Sequence, residues 1–253
     1  MRRFRRLHRT TFMVLVFVGM VVAAMPAAAA TDIYPSQTMG ADVSYPNCTG
    51  TLPSSSAFGI VGVTDGHAFT QNPCFSSEYS WASTIGTTPA SVYMNLNEAI
   101  GTTASYGATG PKGTCAKRDK ICYAYNYGYN AAASANDYAT QQLATSGLPL
   151  PTTWWLDIET ANSWSAKTSI NQADIQGAID YLTSQGFTVG IYSTPAMWKT
   201  ITGSWPVGLP AWVAGATATN APLFCGTGFT GGPVWLVQYV SSGYDYDYAC
   251  NAS

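Results

Sequence analysis

The stretch Trp154-Trp155-Leu156-Asp157-Ile158-Glu159 is the most informative part of this chain. It begins with large apolar residues that do not alternate with polar ones, which is typical of a strand buried on both faces of a parallel sheet. Residues i and i+2 of a strand point to the same side, so Asp157 and Glu159 project together. In α/β barrels the carboxyl ends of the strands form the site. The stretch therefore predicts a buried strand that ends in a pair of acids.

Similar apolar runs on both sides of this strand predict further strands at residues 39–44, 58–64, 91–96, 187–192, 209–213 and 234–239. Helices are predicted between them at residues 76–85, 130–145 and 171–184, with a short one opening at Pro195. Asn171 is the expected cap of the third helix, and Gly186 its expected terminator. This alternation predicts a parallel sheet, closed or open, with helices fading towards the C-terminus.

Two segments are predicted to be irregular or extended. Residues 97–122 are glycine-rich and form the longest loop of the chain, which in a compact domain is usually functional or disordered. Four tyrosines then alternate along the chain, and we expect them either to line one face of an extended segment or to pack in the core; they are Tyr123, Tyr125, Tyr127 and Tyr129.

The N-terminus predicts export. Five arginines precede an apolar run over residues 12–24, and Ala28-Ala29-Ala30 offers the small residues that signal peptidase requires. We therefore expect a signal peptide at residues 1–30, a loose lead-in at 31–38 and one domain at 39–253. An uncleaved N-terminal anchor is the alternative, although the apolar run is short for a membrane-spanning helix.

The charge balance excludes several classes of partner. Without the five arginines of the signal, residues 31–253 carry 6 Lys and Arg against 13 Asp and Glu, a net charge of −7. Nucleic acids and anionic membranes select basic surfaces. We therefore expect neither as a partner. Together with the export signal, the composition indicates a secreted protein that acts outside the cell or in the cell wall.

The cysteines predict disulfides rather than a metal centre. An even number in an exported chain indicates paired cysteines, and we expect neighbours along the chain to pair, as Cys48–Cys74, Cys115–Cys122 and Cys225–Cys250. The spacing fits no zinc pattern, and His67 is the one histidine after the signal. We expect no metal and no cofactor.

Acidic side chains are the candidates for catalysis. Residues 31–253 contain three glutamates, of which Glu78 falls on a predicted surface helix, Glu98 in the long loop and Glu159 beside a buried strand. A carboxyl group close to another carboxylate binds its proton more tightly and can act as a general acid near neutral pH. Glu159 with Asp157 fits that description, although a strand-end carboxylate can also serve as a cap or ion-pair partner.

Other acids and aromatic residues are weaker candidates. Asp42 lies inside an otherwise small and apolar strand, so it needs a function or a bonding partner. Asp65, Asp245 and Asp247 follow strands and could instead be turn residues. Sugar rings stack on aromatic side chains, so the strand residues Trp155, Tyr192 and Trp212 could bind a glycan, with core packing as the alternative.

In order along the chain, these motifs resemble glycoside hydrolase family 25, the muramidase-type lysozymes. The matching segments are Gly40-Ala41-Asp42-Val43-Ser44, Asp157-Ile158-Glu159, Gly190-Ile191-Tyr192 with Trp198, Leu209-Pro210-Ala211-Trp212-Val213-Ala214, and Gln238-Tyr239 followed by Asp245-Tyr246-Asp247. The resemblance implies an irregular TIM-like α/β barrel, closed by a strand-rich section, that hydrolyses β-1,4 glycosidic bonds of peptidoglycan without a cofactor. We expect the protein to be a monomer.

The resemblance also implies site residues. Glu159 resembles the general acid of the family, and Asp157 would steady the acetamido group or the positive charge of the reacting sugar. Asp42 and Asp245 match its other acids, and Trp155, Tyr192, Trp212, Asp65 and Asp247 are the expected substrate-binding residues. The chain departs from the family at Val63-Thr64-Asp65-Gly66, at Ser91-Val92-Tyr93-Met94-Asn95 and at Val237. A non-catalytic protein that binds cell-wall glycan on the same barrel is therefore the alternative.

Overall fold

The computed structural model describes residues 31–99 and 105–250. The expected signal peptide at residues 1–30 lies outside the described residues. In chain order the elements are β1 (Met39–Val43), β2 (Gly59–Gly62), α1 (Phe75–Ala82), β3 (Ser91–Asn95), β4 (Thr109–Gly110), β5 (Gly113–Thr114), α2 (Lys120–Ala144), β6 (Thr153–Asp157), α3 (Thr168–Ser184), β7 (Thr188–Ser193), α4 (Pro195–Thr202), β8 (Ala211–Ala216), β9 (Val234–Ser241) and β10 (Tyr244–Ala249).

Eight of these strands close into a barrel in the order β1-β10-β9-β8-β7-β6-β3-β2. All neighbours are parallel except β10, which runs antiparallel to both β9 and β1. The expected irregular α/β barrel is confirmed, including the loss of helices towards the C-terminus. The short strands β4 and β5 form a separate hairpin in the glycine-rich loop.

Strand β10 corrects one sequence prediction. Asp245 and Asp247 lie within a strand and not in a turn after the last strand. A two-residue loop makes this possible, because Ser242 and Gly243 both have positive φ, 53° and 82°, as a tight hairpin between β9 and β10 requires. Alternation of tyrosine with aspartate in place of apolar residues concealed this strand.

Helix α2 corrects a second prediction. The helix begins at Lys120, ten residues before the expected start, and includes the four alternating tyrosines, so these do not line an extended segment. Asp119 caps the helix, its side chain accepting a hydrogen bond from the backbone N–H of Cys122 at 3.0 Å. Of the four tyrosines, Tyr127 is fully buried in the core.

Helices α1 and α3 bring smaller corrections. Glu78 faces inwards and is buried, accepting a 2.7 Å hydrogen bond from Asn72. Helix α3 begins three residues before Asn171, whose amide instead bonds Ser165 and the carbonyl of Ile201. Its termination at Gly186, with φ of 83°, is confirmed.

The lead-in before β1 is packed rather than loose. Tyr34 is buried against Phe58 and Trp155 inside the barrel. Its hydroxyl accepts a 2.9 Å hydrogen bond from Trp155 Nε1 and lies 2.7 Å from Ser91 Oγ. Residues 31–38 therefore contribute a side chain to the barrel core.

The disulfide prediction is confirmed. Cys48 pairs with Cys74, Cys115 with Cys122 and Cys225 with Cys250. Among the described residues, no helix is long and apolar enough to cross a lipid bilayer.

Candidate active site

A cavity of about 230 Å³ opens at the carboxyl ends of the parallel strands. Its lining consists of four acids, three aromatic residues and one amide, namely Asp42, Asp157, Glu159, Asp245, Tyr93, Tyr192, Trp212 and Gln238. The structure thus brings all four expected catalytic acids together from three parts of the chain.

Strand geometry places the acids. Asp157 ends β6, and the next backbone N–H, that of Ile158, donates to the carbonyl of Tyr192 at 3.0 Å, which continues the parallel pairing of β6 with β7. Glu159 follows immediately and is half-buried. Its own carbonyl accepts a 2.7 Å hydrogen bond from Trp164 Nε1, which holds the backbone beneath this carboxyl group.

A chain of polar groups orients Asp157. Thr64 Oγ1 donates to Asn95 Oδ1 at 2.7 Å, and Asn95 Nδ2 donates in turn to Asp157 Oδ2. The other carboxyl oxygen, Oδ1, has no hydrogen-bond partner within the described residues. Asp157 is therefore a buried carboxyl group in the cavity lining that has one unsatisfied oxygen.

Gln238 connects the two sides of the cavity. Tyr192 donates from its hydroxyl to Gln238 Oε1 at 2.7 Å, and Gln238 Nε2 donates to Asp42 Oδ2 at 2.9 Å. The amide therefore joins β7, β9 and β1 and fixes the direction of the Asp42 carboxyl group. Tyr192 also packs edge-on against Trp212, with ring centroids 4.6 Å apart.

Burial raises the pKa of every acid in the cavity, and the charge of a neighbouring acid adds to it for Asp42, Asp157 and Glu159. The pKa of Asp42 rises to about 7, first through burial and then through the charge of Asp245. Burial, followed by the charges of Glu159 and Asp42, raises the pKa of Asp157 well above its usual range. Burial and the charge of Asp245 also raise the pKa of Glu159. The site consequently retains protons at pH values where exposed carboxyl groups are ionised.

Three of the expected substrate-binding residues do not line the cavity. Trp155 is fully buried in the barrel interior and donates to Tyr34. Asp65 is exposed in the loop after β2, where its backbone N–H bonds Thr70. Asp247 is buried behind the cavity, where its Oδ1 accepts a 2.8 Å hydrogen bond from Trp212 Nε1 and so orients that ring. Tyr192 and Trp212 do line the cavity, as expected.

Sequence reasoning missed Tyr93, Asn95 and Gln238. Asn95 is the last residue of β3, whereas Tyr93 and Gln238 lie within β3 and β9, and Gln238 even formed part of a recognised motif, Gln238-Tyr239. Asn95 pairs with Asp157 and Gln238 with Asp247 in the sheet register. Comparing the positions of these residues on neighbouring strands with those of the acids could therefore have identified Asn95 and Gln238 from sequence. Within residues 31–99 and 105–250, no group of three or more His, Cys, Asp or Glu side chains is arranged to hold a metal ion.

Comparison with known proteins adds family evidence. A family model described as Lysozyme-like protein 1 matches residues 121–219, a range that includes Asp157 and Glu159. Probable GH family 25 lysozyme 5 of Dictyostelium discoideum is 42% identical over 64 residues, covering 24% of this chain and 30% of that protein. The match therefore spans less than a third of that relative's length.

Solved structures share the fold. The spore cortex lytic enzyme SleM of Clostridium perfringens superposes with a TM-score of 0.59 at 15% identity, covering 88% of this chain and 70% of that one. A family 25 glycosyl hydrolase from Bacillus anthracis superposes with a TM-score of 0.53 at 11% identity, covering 91% and 96%. The resemblance to glycoside hydrolase family 25 is confirmed, at these identities as a likeness of fold.

Proposed function

We propose that this protein is an exported muramidase-type glycoside hydrolase that cleaves β-1,4 bonds of peptidoglycan, with Glu159 as general acid. The observation that carries the proposal is the cavity lined by Asp42, Asp157, Glu159 and Asp245 at the carboxyl ends of the barrel strands. Residues 39–253 form its catalytic domain and residues 1–30 its export signal. The enzyme acts as a monomer outside the cell or in the cell wall, independently of nucleic acid and membrane.

Glu159 suits the role of acid for two reasons. Burial and the charge of Asp245 raise its pKa, so it holds its proton to a higher pH than an exposed glutamate, and its half-buried position lets that proton reach a bound glycan. The proton passes to the glycosidic oxygen as the bond from that oxygen to the sugar carbon breaks. Water adds to the sugar carbon, and its proton returns to the carboxylate cluster.

Asp157 assists this acid by position. Asn95 holds one of its oxygens, and the other is free to accept from an acetamido N–H or to face the positive charge that develops on the sugar. Gln238 donates a hydrogen bond to Asp42, which lies directly opposite Asp245 in the pairing of β1 with β10. Tyr192 is half-buried and offers an aromatic surface for the sugar, and the buried Trp212 supports it from behind.

A second candidate is a non-catalytic protein that binds cell-wall glycan at the same cavity. The departures from the family pattern near the cavity favour it, chiefly Thr64 and Asp65 after β2 and Val237 beside Gln238. The four acids weigh against it, because a site for neutral sugars gains nothing from burying four mutually repelling carboxyl groups.

Product analysis tests the proposal. The purified protein is incubated with peptidoglycan, the new reducing ends are reduced with borohydride, and the fragments are identified by mass spectrometry. The proposal expects reduced N-acetylmuramic acid at the fragment ends. Fragments that end in reduced N-acetylglucosamine would contradict the muramidase assignment. Glycan that pellets the protein without being cut would establish the binding protein instead.

A further inference from the structure

A second cavity, of about 270 Å³, lies on the same face of the barrel between the starts of α2 and α3. Its polar lining consists of Glu98, Lys117, Asp119, Lys120, Tyr123, Asn171 and Asp174. Asp119 caps α2, and the amide of Asn171 is hydrogen-bonded to Ser165 and Ile201. The charged groups of the lining are therefore Glu98, Asp174, the two lysines and the capping carboxylate of Asp119.

Asp174 carries the inference. Its side chain is 3% exposed, and Oδ1 has no hydrogen-bond partner among the residues that the structure describes. The close approach of the two helices holds it in place, since a Cβ added at Gly128 of α2 would meet the Asp174 carbonyl oxygen at 1.9 Å and Oδ1 at 2.5 Å. Oδ1 itself lies against Gly128, while the side chain as a whole lines the cavity, so a donor bound there would interact with a buried carboxyl group that has an unsatisfied oxygen.

The charges around this carboxyl group are divided. Glu98 lies close enough to raise the pKa of Asp174, in addition to the larger effect of burial, so the inner part of the cavity is acidic. Lys117 and Lys120 are exposed at its edge together with the carboxylate of Asp119, so the two lysines give the rim a net positive charge. An acidic interior with a basic rim is complementary to a zwitterionic group, with an ammonium directed inwards and a carboxylate outwards.

Short segments connect this cavity to the active site. The backbone N–H of Leu96 donates to the carbonyl of Asp157 at 3.1 Å, and the N–H of Glu98 donates to the carbonyl of Ser163 at 2.7 Å. The wall between the two cavities therefore consists of the segments that follow β3 and β6.

We propose that this second cavity binds the zwitterionic end of a peptide attached to the wall glycan, with Asp174 and Glu98 receiving its ammonium group and Lys117 and Lys120 its carboxylate. The assignment rests on the proposed function for the identity of the glycan. It makes the enzyme selective for strands that carry peptides with a free amino group.

Binding of a glycan-free peptide tests the cavity separately from hydrolysis. The probe is the tripeptide alanyl-γ-glutamyl-lysine, titrated into the purified protein by calorimetry. We expect saturable binding that Asp174→Asn and Lys117→Gln each weaken about tenfold, the equivalent of about 1.4 kcal/mol. Lys199→Gln, which changes an exposed lysine on α4, and Glu159→Gln leave this binding unchanged. Acetylation of the lysine side chain of the tripeptide abolishes it.

Absence of tripeptide binding, or binding indifferent to acetylation and to both cavity variants, would overturn the assignment. A protein that cuts glycan but does not bind the tripeptide refutes this inference alone. A protein that binds the tripeptide but cuts nothing refutes only the proposed hydrolysis.

Hydrolysis assays then test whether the second cavity binds peptides that are attached to the wall glycan. Asp174→Asn is expected to raise KM for intact peptidoglycan and to leave kcat/KM unchanged for glycan strands from which an amidase has removed the peptides. Equal losses on both substrates would assign Asp174 to the packing of α2 on α3 and reject the peptide site.

Discussion

Asp42 and Asp245 are direct cross-strand partners in the antiparallel pair of β1 and β10, and both side chains line the active-site cavity. Side chains in such a pair stand about 5 Å apart at Cβ, and like charges directly opposite one another repel. Burial is the larger cause of the raised pKa values in the site, and the strand that sequence reasoning missed adds the repulsion of Asp245 to it. Asp245 also raises the pKa of Glu159.

Replacement of Asp245 by Asn removes this repulsion while preserving shape. The pKa of Glu159 then falls, so the general acid loses its proton at a lower pH. We expect the alkaline limb of the kcat/KM profile to move to lower pH in Asp245→Asn. The measurement is the pH profile of reducing-end release for both proteins. Asp180→Asn, which alters an acid of α3 outside the active site, is the matched control and keeps the wild-type profile. An alkaline limb at the same pH in Asp245→Asn would show that Glu159 does not sense Asp245.

The bridge from Tyr192 through Gln238 to Asp42 is expected to act as a unit. Tyr192→Phe and Gln238→Leu each break the same hydrogen bond, so their effects on the free energy of unfolding overlap by about 1 kcal/mol. Chemical denaturation of the two single variants and the double variant measures this overlap. Strict additivity would mean that the bond contributes nothing to stability.

Stability is expected to decrease as pH rises. The pKa of Asp42 is about 7 in the folded protein against 3.8 in the unfolded chain, so the folded state binds more protons between these values. Burial raises the pKa of Asp157, Asp174 and Asp247 in the same direction. The stabilisation is complete below about pH 4 and is lost as pH rises through 7.

Thermal unfolding at a series of pH values measures this dependence, with Tm expected to be higher at pH 5 than at pH 8. Asp42→Asn should flatten the curve, because the asparagine does not titrate. A Tm that increases from pH 5 to pH 8 in the wild type would contradict the raised pKa values.

The barrel could be predicted largely from sequence because its parallel strands are continuous apolar runs. Residues 154–157 are buried on both faces, as are residues 91–95 apart from the half-buried Tyr93, and that burial is visible in their composition. Strand β10 has aspartates on the face that lines the site, so its pattern resembles a solvated turn. The start of α2 was predicted too late because tyrosines at every second position have the period of a strand. In the structure the side chain of Asp119 caps the first turn of a helix at this point.

The acids of the site were predictable because each matches a motif position. The residues that hydrogen-bond to these acids were not predicted, because the role of an asparagine or glutamine on a strand depends on which side chain lies next to it across the sheet. Asn95 matters through its partner Asp157, and Gln238 through Tyr192 and Asp42. Trp155 was wrongly predicted for a related reason. Its position beside the acids in the sequence suggested contact with substrate, but its side chain is completely buried in the barrel interior.

Glu159→Gln tests the central claim most directly. The substitution keeps the size and shape of the side chain and removes its transferable proton. We expect the variant to bind peptidoglycan like the wild type and to release reducing ends about 10² to 10⁴ times more slowly. Wild-type release that Glu159→Gln leaves unchanged would contradict the assignment of Glu159 as the general acid.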